Sequence, residues 1–448
     1  MSRHSILAVA LVLVGAAVAG CVSQTPADVK QASASLPDLT KPVFAATKLL
    51  DTVRAGGEPV IAITPKGTIL VGAHPGWTHT RYPPSPNLVE PATGQSYMWR
   101  STDNGTTFAP VGLPGANGVG PRGIGQGVSD PDFAIDKNGR IYFTDLEGLA
   151  SASVSWSDDD GQTWLMGNDV AASFGGGPID RNWLAAQGTD VYFEGNYFQN
   201  GEQILKSTDG GITWSVVGQP PCEQQFVVPQ PKTILVGCPT GMAVSTDDGA
   251  HFEPRLVPGA KAESRGMSLP ALDAAGNVYV TWAAADGIYV AGTRDLGKTW
   301  SHPINLAKAG GLTGTNVWPW VVAGDAGRVA VLWYGTNATG GPANATGDWF
   351  VYEATVLDAM NDTAQVSATQ VTPKPIFQGH ICQNGTTCQA DPSPAGDRRL
   401  GDFFEAAVDA QGYVHVVYAV ALGDSISHPG YSKQTGGIPL KAPSSANG

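Results

Sequence analysis

Ser207-Thr208-Asp209-Gly210-Gly211-Ile212-Thr213-Trp214 is an octad that the chain repeats. Close variants run from Ser101 to Phe108, Ser157 to Trp164, Ser245 to Phe252 and Thr293 to Trp300. All five keep Asp at the third place and Gly at the fifth, and all end in Trp or Phe. The Asp carboxylate can accept backbone N–H bonds within a tight turn, and the Gly two residues on supplies the positive φ such a turn needs. The terminal aromatic then opens an outgoing strand and buries about 150–250 Å² against its neighbours. Each octad therefore reads as a stapled β-hairpin.

A second repeat alternates with the first: an apolar strand, a Gly-containing turn and another apolar strand. Copies begin at Glu58, Asp130, Asp180, Gln225, Leu269, Trp318 and Asp402. One hairpin of each kind makes a four-stranded antiparallel unit, and repetition at this spacing favours one closed ring over separate domains. The 57 Gly and 33 Pro, with 15 % charged residues, fit short strands and tight turns.

The octads resemble Asp boxes, or BNR repeats, the hairpin motif of sialidases and related β-propellers. The resemblance implies an all-β propeller of four-stranded antiparallel blades, seven by the count of hairpins, with a six-bladed sialidase-type ring as the alternative. Two further stretches, Asp180-Arg-Asn-Trp-Leu-Ala185 and Leu400-Gly-Asp-Phe-Phe404, resemble segments of extracellular sialidase-like Asp-box propellers. The Arg-Ile-Pro that opens typical sialidase domains is absent.

Residues 1–20 carry Arg3, His4 and an apolar run, the outline of a signal peptide. They lead to Val18-Ala19-Gly20-Cys21, which resembles the lipobox of lipoprotein precursors with Cys21 as the acylated residue. Residues 21–42 read as a flexible linker and 43–440 as the propeller. A lipid-anchored protein on the extracellular side of the membrane, monomeric, is the expected form. The formal charge of −13 argues against nucleic acid as a partner.

In an up-and-down blade the Asp boxes and the first turns share one face, so any site belongs to the loops opposite. Those loops carry Arg122, Arg181, Arg265 and Arg398, which would hold an acidic sugar as sialidases do. The carboxylates of the same rim are Asp130, Asp132, Asp180, Asp402 and Glu405. A suitably spaced pair would serve as acid and base or nucleophile in glycoside hydrolysis, and hydrogen bonds to loop backbone are their other reading. Trp77, Trp318, Trp320 and His380 would stack on a sugar, with core packing as the alternative for the two tryptophans at 318 and 320.

Cys222 with Cys238, and Cys382 with Cys388, pair as disulfides in an exported chain. No cofactor fingerprint or zinc spacing is present, and a structural Ca²⁺ is the one ion the rim carboxylates would suit. Two functions follow: a sialidase-like exo-glycosidase, or a non-catalytic surface module binding a glycan, glycoprotein or other protein.

Overall fold

The computed structural model describes residues 40–442, apart from 75–95, 112–126, 148, 166, 168, 171–176, 264–265, 267–268, 343, 384, 389–395 and 424–425. Seven antiparallel sheets follow one another as the blades of a β-propeller, at 57–111, 127–169, 179–218, 226–256, 271–305, 316–380 and 405–436. The innermost strand comes first in each blade and the chain steps outward. In blade 2 the fourth position is marked by bridges of Trp156 with Leu165 and Ser153 with Asp169. Blade 7 takes its outermost strands, Val43–Phe44 and Lys48–Leu49, from the other end of the chain, both pairing with His428–Gly436. That closure explains why blade 7 lacks an Asp box: no turn joins its last two strands.

The boxes fold alike. In the third, the Asp209 carboxylate accepts the Thr213 N–H at 2.9 Å and the hydroxyls of Ser207 and Thr213 at 2.7 and 2.6 Å. Its fourth and fifth residues both have positive φ, as in the other four copies. The Gly is also needed for closeness: a Cβ at Gly161 would meet the Leu70 side chain of blade 1 at 2.8 Å, and one at Gly105 would overlap the Tyr431 ring of blade 7. Blade 6 holds its outer turn with Asp358, which accepts the Thr363 hydroxyl at 2.8 Å, although the sequence there lacks the octad pattern. Thr64 and Thr68 of the first turn of blade 1 donate to Asp160 in the box of blade 2, at 2.7 and 2.5 Å. First turns and Asp boxes thus share one face.

The inner strands of blades 1, 2, 3 and 6 share a bulge near their starts. Glu58, Asp130, Arg181 and Trp318 have φ of 44°, 44°, 60° and 51°, and the ladder register shifts at each. Pro59, Pro131 and Pro319 follow three of them, where an N–H is not needed for the ladder. Positive φ in such residues costs on the order of 1–3 kcal/mol. It turns the carboxylates and guanidinium of the first three toward the loop-side mouth of the ring, where their partners lie.

Both expected disulfides are present. Cys222 lies before the inner strand Phe226–Gln230 of blade 4, so its bond ties the approach loop, rather than that strand, to Cys238 at the end of the second strand.

Candidate functional site

The bulges gather a buried group of charges at the loop-side mouth. Arg398 grips Asp402 through Nη1 to Oδ1 at 2.7 Å and Nη2 to Oδ2 at 3.0 Å, and Arg181 Nη2 reaches the same carboxylate at 3.3 Å. Glu58 accepts the Asp402 N–H at 2.8 Å with one oxygen and meets His74 Nε2 at 2.9 Å with the other. Asp130 accepts the Arg181 N–H at 3.1 Å, an N–H that the bulge freed from its ladder. Burial, then the charges of Glu58 and Asp180, push the Asp130 carboxyl well above the usual carboxylate range. Asp402 goes the other way: against the cost of burial, Arg398 and then Arg181 hold it low. Arg398 and Arg181 thus both end on Asp402, with Glu58 Oε1 3.7 Å from Arg398 Nη2.

A second pair lies deeper, in a channel cavity of about 350 Å³. Glu405 accepts the Ile61 N–H at 3.1 Å and the Gln225 amide at 3.0 Å, while Asp132 accepts the Leu184 N–H at 2.8 Å. Burial pushes Asp132 up to about 7, and burial with the charge of Asp132 pushes Glu405 well above its ordinary range. The bonds to Ile61 and Leu184 run from the inner strand of one blade to an N–H of the next, and the Gln225 bond crosses the channel from blade 4 to blade 7. The first two satisfy backbone N–H groups on the open inner edge of the first strand, which has no further strand to pair with.

The third feature was not expected from the sequence. A cavity of about 530 Å³ opens on the loop side over blades 3 and 4, walled by Arg181, Glu202, Glu223, Glu263, three prolines and the Cys222 disulfide. Burial, then the charge of Glu223, pushes the Glu202 carboxyl up to about 8, against the pull of Arg181. Beneath it Glu194 is fully buried. Burial, then Glu202 and Glu223, raises it well above the usual range. The cavity thus holds one carboxyl, Glu202, raised to about 8 beside another acid, Glu223, the condition for general acid catalysis. The signal was in the strand itself. Asp190–Tyr197 is covered by neighbouring blades on both faces, so a Glu in its middle is buried whichever way it points.

Of the residues expected at the site, Asp130, Arg181, Arg398 and Asp402 converge, with Asp180 at their edge, its carboxylate 4.0 Å from Arg181 Nε. Asp132 and Glu405 form the separate channel pair. Trp318 and Trp320 are each 3 % exposed: Trp318 stands edge-on to Tyr334 at 5.8 Å and Trp320 donates to the Ala406 carbonyl at 3.3 Å. Both are packed into the core, Trp320 with an edge on the channel cavity. His380 stands on the short strand Phe377–His380, paired with Thr346, and its Nε2 is buried without a partner. Arg122, Arg265, Trp77 and Cys21 lie outside the described residues. Among the described residues no group of three or more acidic, His or Cys side chains is arranged to hold a metal ion. No helix among them is long and apolar enough to cross a membrane.

The family model that matches is the BNR/Asp-box repeat, over residues 205–216. No curated protein matches the sequence. Similar solved structures include a protein of unknown function from Dyadobacter fermentans, 13 % identical with a TM-score of 0.46, covering 89 % of this chain and 99 % of that one. An α-L-arabinofuranosidase from Fusarium graminearum is 13 % identical with a TM-score of 0.43, over 90 % and 98 %. A Hadza microbial sialidase is 16 % identical with a TM-score of 0.41, over 63 % and 64 %. The chain carries an Asp-box motif. At this level the likeness concerns the ring and its blades alone.

Proposed function

We propose that this Asp-box propeller is a surface-anchored exo-glycosidase whose site is the cavity over blades 3 and 4, on the face opposite the boxes. One observation carries the reading: Glu202 lines a cavity of about 530 Å³ together with Glu223, and is held protonated there, up to about 8. A carboxyl that keeps its proton at neutral pH can donate it to a glycosidic oxygen. A second carboxylate, the part we give Glu223, stabilises the oxocarbenium-like transition state or activates water. Arg181, fixed by Asp402 and by its own bulge, closes one wall and draws on Glu202 electrostatically.

The sialidase-like form of this activity, with arginines gripping a sugar carboxylate, would require Arg181 and Arg398 to exchange bonds they already make. Those bonds therefore favour a sugar without a carboxylate. The anchor rests on the leader and Cys21 in the sequence. Release of reducing sugar from a panel of neutral, amino and acidic oligosaccharides tests the activity. Turnover by the full chain that falls at least a hundredfold in Glu202→Gln supports it. Binding without product would move the assignment to the non-catalytic glycan-binding module, and neither binding nor turnover would remove the glycan reading.

A further inference from the structure

Glu194 is buried completely, and neither of its carboxyl oxygens has a hydrogen-bond partner. Its direction follows from strand alternation. Tyr192, Glu194 and Asn196 of Asp190–Tyr197 all point to blade 4: the Tyr192 hydroxyl reaches Asp248 at 3.1 Å and the Asn196 amide reaches Glu223 at 3.0 Å. On the adjacent strand Gly201–Ser207, Ile204 pairs with Glu194 and Glu202 with Asn196. Glu202 thus shares that face, diagonal to Glu194 and nearer the loop side. Glu194 sits under the floor of the cavity, facing Glu202 and Glu223.

The walls above it carry Glu202, Glu223 and Glu263 against one arginine. That arginine is already answered by Asp402 at 3.3 Å and Asp180 at 4.0 Å. An unpartnered buried carboxyl is destabilising, and a suitable ligand donor would relieve it. A sugar carboxylate would be repelled here. A metal ion would need a tighter cluster than the described residues form.

We propose that the sugar this cavity takes carries a free amino group, its ammonium seated between Glu202 and Glu223 above Glu194. An ammonium brings three donors, in charge-assisted bonds, to the Glu202 oxygen that lacks one and to Glu223 beside the Asn196 amide. The proposal rests on the glycan reading above and narrows its substrate class. It has a proton signature. Glu194 faces Glu202 and Glu223, and Glu202 faces Glu223, Arg181 and Asp180. A cation arriving beside Glu223 favours the charged form of Glu194, so binding releases a proton from Glu194 while Glu202 keeps the one it donates.

The test is titration calorimetry on the full chain in about 0.15 M salt, where non-specific attraction to an acidic surface is screened. The probes are a β-1,4-linked glucosamine tetramer, its fully N-acetylated counterpart and spermidine. We expect the tetramer to bind at least tenfold more tightly than either comparison, with proton release read from buffers of different ionisation heat. Glu194→Gln and Glu223→Gln, each checked for an unchanged melting profile, should both shrink that preference and the release. Equal affinity for the two tetramers, or spermidine matching the amino sugar, overturns the proposal. If N-acetylated or other neutral glycans bind and glucosamine does not, the amino-sugar assignment alone fails. If no glycan of any class binds, the glycan reading fails with it.

Discussion

Arg398 and Asp402 are locked by two parallel bonds, 2.7 and 3.0 Å long, just before the last inner strand, Glu405–Val408. Both side chains are about nine-tenths buried or more, at 7 % and 11 % exposure. Removing one partner of such a pair strands the other charge, which costs about 3–5 kcal/mol. Arg398→Ala should therefore lower unfolding stability by that amount in denaturant titration. Arg140 makes a similar fork on Asp158 at the Asp-box face, but Asp158 is 56 % exposed. Arg140→Ala should cost no more than about 1 kcal/mol. Equal costs would mean that the rim group is not the closing clasp of the ring.

The Asp boxes should fail in acid. Asp209 lies at about 2 because the bonds from Thr213, Ser207 and Ile212 outweigh burial, and hydrogen bonds lower Asp103, Asp247 and Asp295 to about 2 as well. A lowered carboxylate contributes stability that is present above its unfolded value near 3.9 and lost as pH falls through the folded value. Unfolding followed from pH 5 to pH 2 should show that loss in the parent and less of it in Asp209→Asn. Trp214→Ala, which removes a ring 7 % exposed and packed edge-on against Phe193, should cost about 3–5 kcal/mol at any pH.

Glu202 should show the opposite sign. Its folded value is raised to about 8, so its contribution is fully present below the unfolded value near 4.3 and is lost as pH rises toward 8. Glu202→Gln should consequently be more stable than the parent at pH 7 to 8, with the gap closing by pH 4, while losing the proposed activity. A variant destabilised at every pH would show that Glu202 is a structural anchor and not a strained acid.

The proposed anchor predicts a covalent lipid on Cys21. Expressed in a host that acylates lipoproteins, the full chain should take up labelled fatty acid and partition into detergent, and Cys21→Ser should do neither. Label retained on the variant would remove the lipobox reading.

The ring was legible because its signals are local. Each Asp box is eight consecutive residues, and each inner hairpin alternates around a turn Gly, so neither needs a distant partner to be recognised. Blade 6 shows the limit: Asp358 holds its outer turn from a sequence that keeps the chemistry without the spacing. The rim group was legible in part. Asp130, Arg181, Arg398 and Asp402 stand out as charges at the starts of inner strands or just before one. That they bond to one another depends on bulges and on a ring closed across more than 200 residues, as in the contact of Arg181 with Asp402. Glu194 and Glu202 escaped because the loop face drew attention to loops. They lie on a blade flank, where two blades must be stacked before a cavity exists.

The central claim is that the cavity over blades 3 and 4 is where a glycan binds. A crystal structure of Glu202→Gln soaked with the glucosamine tetramer tests it most directly. The account expects a sugar ring within hydrogen-bond distance of residue 202 and Glu223, walled by Arg181, with the Arg398 and Asp402 bonds intact. A sugar seated instead in the central channel on Asp132 and Glu405, or on the Asp-box face, would contradict it.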